Sequence, residues 1–196
     1  MKIKLSPALP IFLLSLATTQ NATFVLAPVL AAFIHECGHL IATRALRITI
    51  KSMRLSIFGA SIETDMLCCS YRKEILFALC GPLANLISAA AVYFCFGTSC
   101  YGSRLFIASS LFFAVLNLLP AGSFDGGRIF SSTLHLFLPI RTVTRITEAI
   151  SFLIFFSLWC ASVYLIMRSG AYLSLFIFSM SLFARLFLSD EAFSQF

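Results

Sequence analysis

Two histidines and a glutamate form the pattern H-E-x-x-H at His35, Glu36 and His39. Residues four apart lie on one face of a helix, so both imidazoles can bind one zinc ion while Glu36 flanks the coordinated water. Zinc lowers the pKa of such a water to about 7, and the glutamate can take its proton and pass it to a leaving amine. The pattern therefore predicts hydrolysis of an amide bond, with Glu36 as the catalytic residue.

The setting of this pattern decides between a functional and an accidental origin. A short pattern also occurs by chance, and a single histidine is more often a hydrogen-bonded polar group than a metal ligand. The pattern lies, however, in the long apolar run 23–46. Ionisable side chains within lipid are costly and mark functional sites, so the setting favours a metal site.

A catalytic zinc ion takes a third protein ligand and keeps one position open. Asp125 stands in the stretch N-L-L-P-A-G-S-F-D-G-G-R at 117–128, where proline and glycines interrupt the helical pattern. The other acidic residues lie in loops, at the edges of apolar runs or in the tail. His135 lies in a short apolar run and is interpreted as a packing or interfacial residue. Asp125 is therefore the predicted third ligand.

Two asparagines belong to the predicted site. Asn85 ends the motif G-P-L-A-N that begins at Gly81, and Asn117 begins the glycine-rich stretch. Their amides could donate to a substrate carbonyl, which would make both residues substrate-binding. They could instead steady the site or form hydrogen bonds between packed helices, and the sequence leaves these alternatives open.

The composition is that of a membrane protein. Of 196 residues, 60% are hydrophobic and 11% are charged, whereas about a quarter of a soluble domain is charged. Apolar runs near spanning length predict six transmembrane helices, at 5–19, 23–46, 75–96, 105–119, 143–167 and 171–188. A signal peptide is the alternative for the first run. We expect one transmembrane metalloprotease domain over 1–196, with no appended soluble domain.

The basic residues predict the orientation. The formal net charge is +6, but the 14 Lys and Arg residues lie at the ends of apolar runs, so nucleic acid is not an expected partner. With the N-terminus in the cytoplasm, only Arg104 and Arg168 fall outside. This bias predicts a multi-pass cell-membrane protein with both termini in the cytoplasm.

Residues 48–66 alternate apolar and polar side chains around Gly59, which predicts a short β-hairpin between the second and third spans. Its edge could bind an extended substrate by strand addition, or the segment could be an interfacial loop without a role. The predicted fold class is thus an all-α polytopic membrane protein with one short β-hairpin.

The three motifs together resemble the site-2 protease family of intramembrane zinc metalloproteases. They occur in matching order, and the resemblance covers nearly the whole chain. The resemblance implies an activity on membrane protein substrates within the lipid bilayer, and it implies site residues by position: zinc on His35, His39 and Asp125, Glu36 as general base and acid, and Asn85 and Asn117 beside the substrate.

Six spans with cytoplasmic termini resemble most the sporulation branch of that family, typified by the stage IV protease that processes a membrane-associated pro-sigma factor. This implies a pro-sigma or anti-sigma factor as substrate, and it leaves room for a regulatory membrane partner. The chain departs from many members at Ser123 and Phe124, where they have Pro and Leu, and it lacks a PDZ insertion.

Two other functions remain open at this level. If the protein were a metal-binding transporter, the histidines and the aspartate would mark the path of the ion through the membrane. This function would not explain why Glu36 lies beside them. An inactive scaffold member of the family would leave the complete set of ligands and base unexplained.

Overall fold

The computed structural model describes residues 2–5, 22–48, 50–56, 59–64, 70–122, 124–169 and 176–183. The chain divides into two compact units, Met1–Leu118 and Leu119–Phe196. The first unit contains β1 (Lys2–Leu5), α1 (Ala22–Ala45), β2 (Ile50–Ser56), β3 (Gly59–Thr64), α2 (Tyr71–Phe96) and α3 (Tyr101–Asn117). The second contains α4 (Asp125–Leu134) and α5 (Ile140–Ser169), followed by a helical stretch at 176–183.

Within the described residues, three helices are long and apolar enough to cross a membrane, over Thr23–Ala45, Tyr71–Phe96 and Ile140–Arg168. Large apolar side chains point away from the protein on all three. Phe33, Ile87 and Met167 are 64%, 68% and 84% exposed. Such exposure is costly in water and natural in lipid, so these helices support membrane localisation.

Four of the six predicted spans correspond to helices of the structure. Helices α1, α2 and α5 occupy the second, third and fifth, and α3 occupies the fourth with 17 residues. Of the sixth predicted span, 176–183 is helical. Of the first, 6–19 lies outside the described residues. The count of six therefore stays a prediction.

Helices α2, α3 and α5 begin three or four residues before their predicted spans, α3 at Tyr101 rather than 105. Helix α2 starts at Tyr71 rather than 75, and its first turn is polar; the backbone N–H of Lys73 donates to the Ser70 carbonyl at 2.8 Å. Helix α5 starts at Ile140, directly after Pro139. Hydropathy marks the lipid-buried part of a helix, whereas the backbone continues helical into the polar interface.

The three helices of the first unit pack against one another. Ala27 and Ala31 of α1 form a buried cluster with Phe106 of α3. Helices α1 and α2 approach closely at Gly38, where an added Cβ would lie 2.5 Å from the Cys80 carbonyl oxygen. Small residues at such contacts let helix backbones come together, which is how apolar helices associate in lipid.

The C-terminus of α1 is fixed by a Schellman motif. The N–H of Ile48 donates to the Thr43 carbonyl at 2.9 Å, and Arg47 adopts a left-handed conformation with φ 54°. Ile48 then packs with Ala42 and Phe77 in a buried cluster. This is the hydrophobic contact expected beyond a Schellman motif, and it ties the end of α1 to α2.

The strands form a three-stranded sheet in the order β1-β2-β3. Strand β2 pairs antiparallel with β3, with Met53 opposite Ile62, and β1 pairs parallel with β2. The sequence predicted no strand at β1.

In the second unit, α4 packs against α5. The ring of Phe124, just before α4, meets that of Phe155 edge to face at a centroid distance of 6.1 Å. Ser162 of α5 lies 3.1 Å from Ser179, Oγ to Oγ, which joins α5 to the stretch 176–183. The ring contact of Phe124 therefore ties the residue directly before Asp125 to α5.

Candidate metal centre

The two histidines of the H-E-x-x-H pattern meet on one face of α1. Their Nε2 atoms are 3.2 Å apart and their ring centroids 4.8 Å apart. Both residues are buried, at 6% and 5% exposure. Two buried imidazole nitrogens this close together on an apolar helix could both bind one metal ion.

The ring of His39 is held in place by Phe77 of α2. Its Nδ1–H donates to the Phe77 carbonyl oxygen at 3.1 Å, and its ring lies 4.8 Å from the Phe77 ring. With the proton on Nδ1, the Nε2 lone pair faces His35. Histidines that bind metals use the second ring nitrogen in this way.

That carbonyl comes from a helical turn altered by proline. Pro82 has no N–H, so the Ala78 carbonyl four residues earlier loses its usual donor, and a proline ring inside a helix crowds the turn before it. Phe77 lies in that turn. The carbonyl that binds His39 is therefore next to the one that Pro82 leaves without its helical donor.

His35 is held by the asparagine of the same motif. Asn85 is fully buried, and its Nδ2 lies 3.4 Å from Nδ1 of His35. The amide thus contacts a histidine at its second ring nitrogen. This placement favours the alternative in which Asn85 steadies the site, and its role toward a substrate stays a prediction.

Gly81 completes the wall of the centre. A Cβ at this position would collide with Nε2 and Cε1 of His39, and it would come within 2.8 Å of Cε1 of His35. The first residue of the motif must therefore be glycine for both rings to lie against α2. The motif G-P-L-A-N drew attention to Gly81, but the sequence did not predict its contact with the two rings.

The remaining predicted site residues of the first unit are less enclosed. Glu36 is partly buried on α1, next to His35. Asn117 is partly buried at the end of α3, and its Nδ2 donates to the Phe113 carbonyl at 2.9 Å. The structure therefore brings together His35, His39 and Asn85, whereas Asn117 bonds to its own helix.

Asp125 belongs to the second unit, where it is the first residue of α4 and 8% exposed. Negative charge is favoured at a helix N-terminus, so the position suits an ionised carboxylate. The preceding loop is anchored because Gly122 N–H donates to Ser151 Oγ at 2.8 Å. His135 is the C-cap of the same helix.

The glycines around Asp125 differ in backbone conformation from Gly97, the described glycine with a positive φ, of 62°. A Cβ at Gly127 would instead collide with the Ala121 carbonyl. Close approach of two backbone segments, rather than a left-handed conformation, requires glycine there.

The fold and the centre together define a helical membrane protein with a pair of buried histidines of metal-ligand type. Neither a protein-family model nor a curated protein sequence matches the chain.

Among solved structures, the chain is similar to the site-2 protease from Methanocaldococcus jannaschii. The TM-score is 0.69 at 19% sequence identity, over 94% of this chain and 88% of that chain. The likeness shows that the two proteins share a fold.

Proposed function

We propose that this protein is an intramembrane zinc metalloprotease that hydrolyses a peptide bond in or near a transmembrane segment of a membrane protein. The observation that carries the proposal is the convergence of His35 and His39, whose Nε2 atoms are 3.2 Å apart. The other ring nitrogen, Nδ1, contacts the Phe77 carbonyl in His39 and the Asn85 amide in His35, and both partners belong to α2. The shared fold with a site-2 protease agrees with it.

The ligand set proposed for zinc is His35, His39 and Asp125. Two imidazoles and one carboxylate suit zinc and leave a fourth position open. Nδ1 of His39 already has its acceptor in the Phe77 carbonyl, and the carboxylate of Asp125 lies at a helix N-terminus. The donor chemistry of the described residues therefore fits this metal.

Zinc, when bound, supplies Lewis-acid chemistry that acidifies water and polarises a peptide carbonyl. Glu36 accepts the proton of the attacking water and delivers it to the departing amine. The Nε2 atoms of His35 and His39 lie close together and would hold the ion. The apolar surroundings exclude bulk water and so strengthen each electrostatic interaction at this point.

The substrate is proposed to be a membrane protein segment in extended conformation. In an intact helix every interior carbonyl accepts a backbone hydrogen bond and is shielded by side chains. The segment must therefore unwind before Glu36 can direct water to it. Pro-sigma and anti-sigma factors, the substrates implied by resemblance to the sporulation branch, are the first candidates to co-express.

The finer topology belongs to the same proposal. It comprises six transmembrane spans in a single transmembrane domain, with both termini in the cytoplasm. The centre then lies near the inner membrane surface, because His39 is five residues from Arg44 in the last turn of α1. A regulatory membrane partner is compatible with this arrangement.

The test compares wild type with Glu36→Gln in cells, with Glu148→Gln as a matched control on the exposed surface of α5. Membranes are searched by mass spectrometry for new peptide termini within transmembrane segments. Wild type and Glu148→Gln should generate the same termini, and Glu36→Gln should not, while keeping its zinc. Identical termini with all three proteins would reject the assignment.

The same variants separate proteolysis from transport. A transporter would move zinc into liposomes, and the flux would survive Glu36→Gln because this residue is not among the proposed ligands. The proposal predicts zinc that stays bound to the protein and no such flux.

A further inference from the structure

We infer that Asn85 is a positioning residue that sets the imidazole tautomer of His35. It does so by turning either the NH2 group or the carbonyl oxygen of its side chain toward Nδ1 of His35. The inference rests on the proposed metal site. Two observations carry it: Asn85 is fully buried against His35, and its Oδ1 has no hydrogen-bond partner within the described part of the chain.

In the observed arrangement the polar atoms form one continuous chain of hydrogen bonds. Asn85 Nδ2–H donates to Nδ1 of His35, at 3.4 Å. His35 must then carry its proton on Nε2, from which it donates to Nε2 of His39 at 3.2 Å. His39 in turn donates from Nδ1 to the Phe77 carbonyl. In this tautomer the proton of His35 lies on Nε2, the atom that would bind the ion.

A metal ion would require the other tautomer of His35. Both Nε2 lone pairs must then be available, so the Nε2 proton of His35 leaves and Nδ1 gains one, with no change in ring charge. The new Nδ1–H is buried and needs an acceptor, because an unsatisfied buried donor is costly. Asn85 supplies one if its amide turns by half a rotation, which brings Oδ1 to the place of Nδ2.

The amide side chain is suited to this exchange because its two ends have nearly the same shape and opposite hydrogen-bonding character. Leucine, of similar size, offers neither character, and aspartate offers only an acceptor when ionised. Asparagine at 85 therefore serves both the metal-free and the metal-ready tautomer of His35 without repacking of α1 against α2.

The experiment measures zinc affinity of the purified full chain by competition with a chromophoric chelator, for wild type, Asn85→Leu and Asn85→Asp. Second-shell partners of this kind change metal affinity by about 10- to 100-fold. We expect a loss of that size for Asn85→Leu. Asn85→Asp should stay within a few-fold of wild type or bind more tightly, since a carboxylate accepts Nδ1–H.

Ser110→Ala is the matched control. Ser110 is also fully buried in the first unit, and its Oγ has no hydrogen-bond partner within the described residues. Its replacement should leave zinc affinity unchanged. Equal affinity of wild type and Asn85→Leu would overturn the inference, and so would an equal loss in the Leu and Asp variants, which would mean a packing role alone.

A second measurement needs no variant. Nitrogen NMR shifts of histidine in the wild-type protein distinguish the two tautomers. His35 should be protonated on Nε2 without metal and on Nδ1 after zinc is added. An Nδ1–H tautomer of His35 in both states would overturn the inference while leaving the metal site intact, whereas wild type that binds no zinc would overturn the proposed function as well.

Discussion

Phe77 contacts His39 twice, through its carbonyl oxygen 3.1 Å from Nδ1 and through its ring at a centroid distance of 4.8 Å. The same side chain is 1% exposed and packs with Ile48, the residue that follows the Schellman motif of α1. One residue of α2 therefore fixes both the orientation of a proposed ligand and the end of its helix. The geometry of the centre depends on how α1 and α2 pack.

Gly81→Ala should abolish zinc binding, because the added methyl group would collide with Nε2 of His39, the proposed ligand atom. Zinc content of the purified protein measures the effect. Gly102→Ala is the matched control, since its Cβ would lie at an ordinary 3.5 Å from Thr23. Normal zinc content in Gly81→Ala would show that the imidazoles do not lie against α2.

Arg47→Gly should stabilise the protein. Arg47 has φ 54°, and the left-handed conformation costs a residue with a side chain about 1 kcal/mol, which glycine avoids. Because glycine also raises the entropy of the unfolded chain, we expect a net gain of about 0.5 kcal/mol in the free energy of unfolding. Thermal unfolding in one detergent measures it.

Arg44→Gly tests the same argument with the opposite sign. Arg44 lies in the last turn of α1, where glycine should cost about 1 kcal/mol. Equal destabilisation by both substitutions would contradict the account of the helix end.

Cys100 should react with a maleimide at lower pH than an ordinary thiol. Hydrogen bonds from the backbone of Gly102 first, and of Ser103 next, lower the pKa of its thiol at the start of α3. The thiolate is the reactive form, so the rate should rise with pH and level off earlier than in the unfolded chain. Identical pH profiles for folded and unfolded chains would contradict it.

The cysteine also tests the predicted orientation. In a variant with Cys100 as its sole cysteine, a membrane-impermeant maleimide added to intact cells should label it, because this end of α3 carries Arg104 and is predicted to lie outside. Labelling only after the cells are broken would reverse the orientation.

Sequence periodicity and hydropathy predicted the long helices and the relative position of the two histidines. Apolar runs located α1, α2 and α5, because lipid requires long apolar helices whose backbone groups are satisfied internally. The spacing of His35 and His39 placed them on one face because helix geometry alone determines it. Helix starts were missed where the first turn is polar. Hydropathy shows which residues lie in lipid, but it does not show where the helical backbone begins.

The partners of the two histidines were only partly predictable. The G-P-x-x-N motif pointed to Asn85, but the acceptor of His39 is the backbone of Phe77, and any residue type provides a carbonyl. The need for glycine at 81 likewise arises from a ring on another helix. Both features depend on the packing of α1 against α2, which motif spacing does not specify.

The most direct test of the central claim is the zinc content of purified wild type compared with Asp125→Ala and His39→Ala. The account predicts about one zinc ion per chain in wild type and a large loss in both variants, because each removes one of three ligands. Zinc that is retained at the wild-type level in both variants, or wild type that never binds zinc, would contradict it.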